Sequence, residues 1–187
     1  MQRRAIHQGS ATGPLSAAFI YDLNGNLTQK CEGGTVSRSA TTCTGSTTLN
    51  LNYDALDRLT HADKTGLAGQ SYLYDPLGRR IKKTVGSTTT DYLYDGARIY
   101  AEYPGSWNQA AAVYTHGAGI DTPLIRTTAT AEQRYYHQDG LGSVVAVTDA
   151  AGTTQGTQRF DAWGKQLAST GTIPQYSYTG VSGSVKM

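Results

Sequence analysis

Short stretches of alternating polar and apolar residues, separated by turn residues, run along most of the chain and predict β-strands. The clearest stretch is Tyr72–Ile81, in which Tyr72 and Tyr74 precede Asp75-Pro76-Leu77-Gly78. Residues two apart on a strand share a face, so both rings can pack on one side of a sheet. Asp, Pro and Gly at the first, second and fourth positions favour a tight turn. This stretch is therefore predicted to be a β-hairpin with an aromatic pair before its turn.

Variants of this hairpin recur along the chain, and repetition of this kind indicates a repeat architecture. The aromatic residues that begin the repeats are Tyr21, Tyr53, Tyr74, Tyr94 and Phe160. The predicted turn residues are Asp22, Gly25, Asp54, Asp75, Pro76, Gly78, Asp139, Gly142, Asp161 and Gly164. Asp57 takes the glycine place in the second unit, and further turns are expected from Asp63 to Gly66 and from Asp149 to Gly152.

The fold class predicted from this pattern is all-β, with tandem antiparallel hairpins in an open sheet. The chain contains 22 Gly and 13 Tyr but only 2 Phe, which suits many turns and half-buried strands. Beyond the clear repeats, strands are expected at 124–128, 132–137, 142–148, 157–160 and 176–178. Little helix is expected. Strict alternation over 79–85 places odd-numbered residues on one face of the strand and even-numbered residues on the other.

Charge gives no indication of a strongly charged partner. Sixteen basic and 14 acidic residues leave a formal net charge of +2, and charged residues make up 16% of the chain. Alternation also splits the basic residues of 79–85 between two faces, whereas a nucleic-acid site needs convergent basic groups. A nucleic-acid partner is therefore not expected.

The only two cysteines, Cys31 and Cys43, flank a polar segment that is expected to be a flexible loop. A disulfide between them would close this loop and favour an oxidising compartment. The alternative is two free thiols in a reducing cytosol. The disulfide is favoured because neither a third cysteine nor a histidine lies at zinc-ligand spacing.

The Tyr-Asp units resemble the YD repeats of bacterial Rhs proteins, toxin-complex shells and teneurins. The later segments 113–125, 135–144 and 148–152 resemble the Rhs-associated core. The expected organisation is a disordered lead-in at 1–18, YD repeats at 19–105 with the cysteine-flanked insertion at 31–43, a core-like β segment at 106–180 and a tail at 181–187. The resemblance implies a curved sheet that is part of a shell-like spiral around another polypeptide.

These features predict a non-enzymatic structural protein, a fragment or short relative of an Rhs shell that encloses a toxin polypeptide. The expected partners are further YD-repeat chain, a second copy, or the enclosed polypeptide. The alternative is a carbohydrate-binding module that uses the exposed aromatic residues Trp107 and Trp163 for stacking. The resemblance also implies self-cleavage beyond the core, but similarity stops after Gly180, so self-cleavage is not expected.

Other chemistry is weakly indicated. His137 and Asp139 could form an acid–base pair in a hydrolase, but no motif places a nucleophile beside them. The segment following Asp22 lacks the Gly and Glu of an EF-hand, and Gly140-x-Gly142 precedes a strand, not the helix of a dinucleotide site. No metal or cofactor is predicted. No apolar run is long enough to span a membrane and no signal peptide is recognised, so export would depend on a larger system.

Overall fold

The computed structural model describes residues 15–39, 41–119, 122–162 and 164–173, and all of its regular elements are β-strands. The chain divides into two compact units, Met1–Thr90 and Asp91–Met187. Every recorded strand pair is antiparallel. The predicted all-β class, built from tandem antiparallel hairpins, is confirmed.

The first unit contains seven complete strands and the start of an eighth. They are β1 (Leu15–Tyr21), β2 (Leu27–Arg38), β3 (Cys43–Thr44), β4 (Thr47–Tyr53), β5 (Leu59–Lys64), β6 (Gln70–Tyr74), β7 (Arg80–Val85) and β8 (Thr88–Asp95). Neighbouring strands follow the order β1-β2-β4-β5-β6-β7, and the two-residue β3 pairs with β2. Consecutive strands thus form hairpins, as the repeated turns predicted.

The second unit continues from β8 with the same hairpin connectivity. Its remaining strands are β9 (Arg98–Tyr103), β10 (Ala112–His116), β11 (Pro123–Thr128), β12 (Gln133–Gln138), β13 (Val144–Thr148), β14 (Thr154–Phe160) and β15 (Gln166–Gly171). Strand β9 pairs with β10 across residues 105 and 106, where the repeat and core-like segments were expected to meet. The strand predicted at 176–178 lies outside the described residues.

Two predicted boundaries are wrong at the first hairpin. Strand β1 begins at Leu15, and Ala17 and Ala18 are buried in the sheet, so residues 15–18 are not a disordered lead-in. Residues 1–14 lie outside the described part of the chain. The segment expected to be a loop at 31–43 is largely strand, because β2 extends to Arg38 and pairs Val36 with Leu15. A strand can form only where a partner backbone runs beside it. The local sequence pattern does not show where such a partner lies.

Each unit has its own apolar cluster on the sheet. In the first unit the cluster comprises Ala18, Ile20, Cys31, Val36 and Cys43. In the second unit it comprises Tyr92, Ile99, Ala112, Tyr114, Tyr136, Val144 and Val147. Three tyrosines and two fully buried valines make the second cluster the larger one.

A shift in strand register occurs at every repeat aromatic. The pairing shifts between the residue before the aromatic and the aromatic itself at Tyr21, Tyr53, Tyr74, Tyr94 and Phe160. In the third hairpin Leu73 pairs with Lys82 and Tyr74 with Arg80, which leaves Ile81 as an extra residue. Such a bulge places two residues opposite one and reverses the alternation beyond it.

The strict alternation predicted for 79–85 is therefore wrong at Arg80. Tyr72 lies opposite Lys83, and Tyr74 lies opposite Arg80. The Arg80 guanidinium is 5.4 Å from the centroid of the Tyr72 ring. Arg80 and Lys83 thus share the tyrosine face, because the bulge at Ile81 removes one step of alternation between them.

The turn glycines provide a direct test of this geometry. Gly78 has a φ of +82°, and the position that a Cβ would occupy is open space. An alanine there meets no clash, so the only cost is the strain of placing an L-residue in the left-handed backbone conformation. We expect Gly78→Ala to lower the free energy of unfolding by about 1–2 kcal/mol, measured by urea denaturation. The matched control is Gly140→Ala, since Gly140 also has open space but no left-handed φ. Equal losses for both variants would contradict the backbone explanation.

Candidate functional site: the turn edge of the first unit

Three hairpin turns of the first unit, at 22–26, 54–58 and 75–79, form the feature that we call the turn edge. In the third turn the Asp75 carboxylate accepts hydrogen bonds from the backbone amides of Leu77 (3.0 Å) and Arg79 (2.9 Å). The Gly78 amide donates to the Asp75 carbonyl at 3.0 Å. Pro at the second position fixes φ in the turn, as the sequence suggested. Asp75 therefore accepts the backbone hydrogen bonds that hold this chain reversal in place.

The second and third turns each end in an arginine whose side chain binds the aspartate that begins the turn. Arg58 Nε donates to Asp54 Oδ2, and Arg79 Nε donates to Asp75 Oδ2, each at 2.7 Å. The backbone hydrogen bond from Arg58, aided by its side chain, lowers the pKa of Asp54. In the first turn the Asn26 side chain takes this role and its hydrogen bond lowers the pKa of Asp22. The ionised carboxylate is thus the form that the turn stabilises.

Two of the repeat tyrosines, Tyr53 and Tyr74, connect their hairpins to the preceding one through their hydroxyl groups. Tyr53 Oη donates to the carbonyl of Leu27 at 3.1 Å, and Tyr74 Oη donates to the carbonyl of Leu59 at 2.7 Å. Leu27 and Leu59 are equivalent, since each begins the second strand of its hairpin. The Tyr-Asp pair therefore has two tasks, with the aspartate closing its own turn and the tyrosine binding the previous hairpin.

The turns also contact one another directly. Arg58 Nη1 donates to the Asp75 carbonyl at 3.1 Å, and its guanidinium lies 5.0 Å from the Tyr74 ring centroid. On the other side, Asn24 and Asn26 donate side-chain amides to Asp57 Oδ1 at 2.9 and 2.7 Å. Asp57 has a φ of +59°, a conformation that favours glycine. The Asp57 carboxylate accepts the hydrogen bonds from Asn24 and Asn26. These contacts explain why this turn position holds an aspartate and not a glycine.

A polar cavity of about 480 Å³ lies beside the first two turns. Its lining includes the carboxylates of Asp22, Asp54 and Asp57 and amide side chains such as Gln29 and Asn50. Gln29 Nε2 donates to Asn50 Oδ1 at 2.9 Å. Sequence reasoning did not predict this cavity, because its residues come from several hairpins.

Apolar side chains project from the turn edge. Leu23, Leu56 and Leu77 are 69%, 69% and 78% exposed. They occupy central positions of the three turns, where side chains point away from the sheet. The turn motif contains them, but the sequence analysis attached no role to them.

The predicted turns of the second unit have the same aspartate geometry. Asp139 accepts from the amides of Leu141 and Ser143, Asp149 from those of Ala151 and Thr153, and Asp161 from that of Lys165. The turns expected at Asp139, Asp149 and Asp161 each contain an amide-to-carbonyl bond across four residues. The turn expected from Asp63 to Gly66 instead runs from Lys64 to Leu67.

The other sequence candidates are not brought together. His137 Nε2 lies 3.0 Å from Thr148 Oγ1, while the Asp139 carboxylate binds its own turn amides. Trp107 is exposed and its ring lies 4.7 Å from that of Tyr103. Trp163 lies outside the described residues, so a stacking platform of the two tryptophans stays a prediction.

Cys31 and Cys43 form a disulfide within the apolar cluster of the first unit. Among the described residues, no group of three or more His, Cys, Asp and Glu side chains could hold a metal ion. The described part of the chain also contains no helix long and apolar enough to cross a membrane.

The second unit contains a buried polar cluster that sequence reasoning missed. Glu102, Tyr114 and Tyr136 are 5%, 3% and 6% exposed. Burial, together with the nearby Glu102 carboxylate, raises the pKa of Tyr114 far above its usual value. Burial also raises the pKa of Tyr136, while the positive charge of Arg126 opposes that rise. The cluster keeps both phenols protonated within the apolar core.

Comparison with known proteins gives a consistent set of relatives. No family model matches the chain. The chain is 33% identical over 150 residues to the tRNA3(Ser)-specific nuclease WapA of Bacillus spizizenii, which covers 79% of this chain and 6% of that protein. It is 29% identical over 178 residues to the double-stranded DNA deaminase toxin A of Burkholderia cenocepacia, which covers 81% of this chain and 12% of that protein.

Solved structures give weaker similarity. The Tc holotoxin pore of Photorhabdus luminescens has a TM-score of 0.49 and 15% identity, covering 83% of this chain and 10% of that one. The chain therefore spans a small part of every relative compared.

These relatives correct the functional prediction. A purely structural, non-enzymatic protein was expected, but both relatives of about 30% identity are named for a nuclease or a deaminase activity. That prediction is wrong. The carbohydrate-binding alternative is not favoured either, since both names refer to nucleic acid.

The tyrosine link between hairpins generates a stability prediction. Tyr74→Phe removes the hydroxyl that binds the Leu59 carbonyl and keeps the ring. We expect a loss of about 1 kcal/mol in the free energy of unfolding, measured by urea denaturation. The matched control is Tyr100→Phe, because Tyr100 is 47% exposed and occupies the bulge of its hairpin. A loss for Tyr100→Phe as large as that for Tyr74→Phe would refute the assigned hydrogen bond.

The lowered pKa values of Asp22, Asp54 and Asp75 generate a pH prediction. A carboxyl whose pKa is lower in the folded state stabilises the fold above its unfolded pKa, and this stabilisation is lost as pH falls through the folded pKa. The ordinary value is 3.8 for each group. The melting temperature should therefore be constant from pH 7 to 5 and fall below about pH 4.

The control for this titration is Asp54→Asn, which lacks one titrating carboxylate. It should melt at a lower temperature at pH 7 and show a shallower decrease in acid. An Asp54→Asn profile parallel to the wild-type profile would exclude the Asp54 carboxylate as a source of the pH dependence.

Proposed function

Because this chain is related to the Rhs and YD-repeat proteins, we propose that it belongs to a secreted toxin that acts on nucleic acid inside a target cell. The substrate class is tRNA or DNA. The described residues supply the YD-repeat sheet of this toxin, and the turn edge fixes the hairpins of the first unit relative to one another.

The similarity to WapA carries this proposal. The matched stretch covers 79% of this chain at 33% identity, so it includes most of the hairpins and not one motif alone. The DNA deaminase toxin matches a similar share of the chain. Two proteins named for different reactions on nucleic acid thus share this sheet. Because the chain spans 6% and 12% of their lengths, the reaction of the whole protein belongs to the proposal.

Two structural features support a secreted protein that associates with more chain. The Cys31–Cys43 disulfide suits an oxidising compartment, since disulfides in cytosolic proteins are normally reduced. Strand β15 is exposed along its whole length and pairs with β14 on one side. An exposed strand edge of this kind can pair with a further strand. We therefore propose further YD-repeat chain as the partner at β15.

Expression of the toxin that contains this chain tests the proposal. The protein, with its natural flanking sequence, is produced from an inducible promoter in a bacterium, and growth, tRNA integrity and genomic DNA sequence are followed. We expect growth arrest together with either cleaved tRNA or deaminated bases in DNA. Normal growth with intact tRNA and unchanged DNA would overturn the proposed function.

A pair of variants tests the contribution of the sheet. The double variant Tyr53→Phe/Tyr74→Phe removes both hydroxyl links between hairpins. It should lower the amount of intact protein and weaken growth arrest, whereas Tyr100→Phe should behave as wild type. Equal toxicity of the three proteins at equal protein level would show that the hairpin links do not contribute.

A further inference from the structure

We propose that the Cys31–Cys43 disulfide is a redox-sensitive clamp that keeps the first hairpin closed in an oxidising compartment and releases it when a thiol reductant is present. The clamped segments are β1 and residues 33–43 of the insertion, which together we call the clamped hairpin. The biological part of this inference rests on the proposed function, because a toxin of that kind moves from an oxidising exterior to a reducing cytosol.

The disulfide lies at the centre of the packing between β1 and the insertion. Cys31 is completely buried and Cys43 is 5% exposed. Both belong to one apolar cluster with Ala18 and Ile20 of β1 and Val36 of the insertion. Cys43 Sγ lies 3.9 Å from the Ala18 carbonyl oxygen. The side chains of β1 therefore pack against the disulfide and the strand that it anchors.

Besides the disulfide, the described residues of the insertion are held by a short strand pairing, local hydrogen bonds and apolar packing. Strand β3 contains two residues and pairs with the end of β2 through Ser37↔Thr44 and Arg38↔Cys43. Between these strands Ser39, Thr41 and Thr42 are exposed, and Ser39 and Thr42 form hydrogen bonds with each other. The Cys43 amide donates to Gln29 Oε1 at 2.6 Å. Without the covalent bond, β3 would be held against β2 by the short strand pairing, the local hydrogen bonds and the packing of Val36 against Cys43 in the apolar cluster.

Strand β1 depends on the same interactions. It pairs with β2 along Leu15–Tyr21, and its buried residues Ala18 and Ile20 contact the disulfide cluster. Strand β2 pairs with β4 over Gln29–Glu32, a stretch that includes Cys31. Opening of the insertion would thus remove the apolar cover of β1 while leaving the pairing of β4 with β5 intact.

The chemical step is thiol–disulfide exchange with a cellular thiol such as glutathione. A thiolate attacks Cys43 Sγ, which forms a mixed disulfide and releases Cys31 as a thiolate. A second thiolate attacks the mixed disulfide, releases Cys43 and leaves as the oxidised reductant. The protein disulfide gains two electrons, the two reductant thiols lose two, and the cysteine thiolates take up the protons. Since both sulfurs are buried, attack requires transient opening of the chain next to Cys43, where Thr41 and Thr42 are exposed.

Hydrogen exchange of the whole chain tests the clamp. Amide exchange is measured by mass spectrometry on the oxidised protein and on protein incubated with millimolar glutathione, with free thiols counted by alkylation. We expect glutathione to release two thiols and to accelerate exchange at least tenfold in Leu15–Tyr21 and at 33–44. Exchange in β5, β6 and β7 should be unchanged.

The variant Cys31→Ala/Cys43→Ala provides the control. It should exchange like the reduced protein and should not respond to glutathione. If this variant does not fold, the wild-type comparison decides alone. The clamp is overturned if the disulfide resists glutathione, if β1 exchanges equally in both states, or if all strands of the first unit lose protection together.

This experiment contains no nucleic acid, so its outcome is separate from that of the proposed function. Selective release of the clamped hairpin by a protein without toxicity would support the clamp and overturn the toxin proposal. Toxicity without selective release would overturn the clamp and support the toxin proposal.

Discussion

The second and third hairpins of the first unit are each bound to the preceding hairpin by a tyrosine hydroxyl that donates to a backbone carbonyl. The bond from Tyr74 to Leu59 and the bond from Tyr53 to Leu27 occupy equivalent positions. Main-chain pairing joins neighbouring strands but does not distinguish one repeat from the next. A side-chain hydroxyl that reaches the start of an earlier strand fixes the spacing between repeats. The turn aspartates also contribute to this spacing, because they fix the backbone directly after the tyrosine.

The bulge at each repeat aromatic belongs to the same arrangement. It inserts one extra residue in the second strand of the hairpin, as Ile81 does in the third one. The insertion brings Arg80 to the face of Tyr72, where its guanidinium lies over the ring. A bulge also increases the local twist of the strands. The second and third hairpins therefore combine a turn, a bulge and a lateral hydrogen bond in one short sequence unit.

The relation to WapA and to a DNA deaminase toxin gives this sheet a biological setting without assigning a reaction to any side chain. The two relatives are named for different chemistry, yet each is similar in sequence to about four fifths of this chain. The polar cavity of the first unit and the buried Glu102–Tyr114–Tyr136 cluster of the second each lie among residues of several hairpins. The disulfide adds a covalent bond at the first hairpin, where the described sheet has its N-terminal edge.

The sequence by itself determined the all-β class, the hairpin repeats and the turn aspartates, because turn chemistry and two-residue alternation are local properties. Tertiary structure alone decided the extension of β2 to Arg38 and the formation of β15. Both depend on pairing with a distant backbone, and Gln166–Gly171 has little apolar pattern of its own. The face of Arg80 and the Asp57 contacts with Asn24 and Asn26 were likewise outside sequence reasoning. A register shift and a contact across 31 residues are set by how hairpins lie beside one another, which no local pattern encodes.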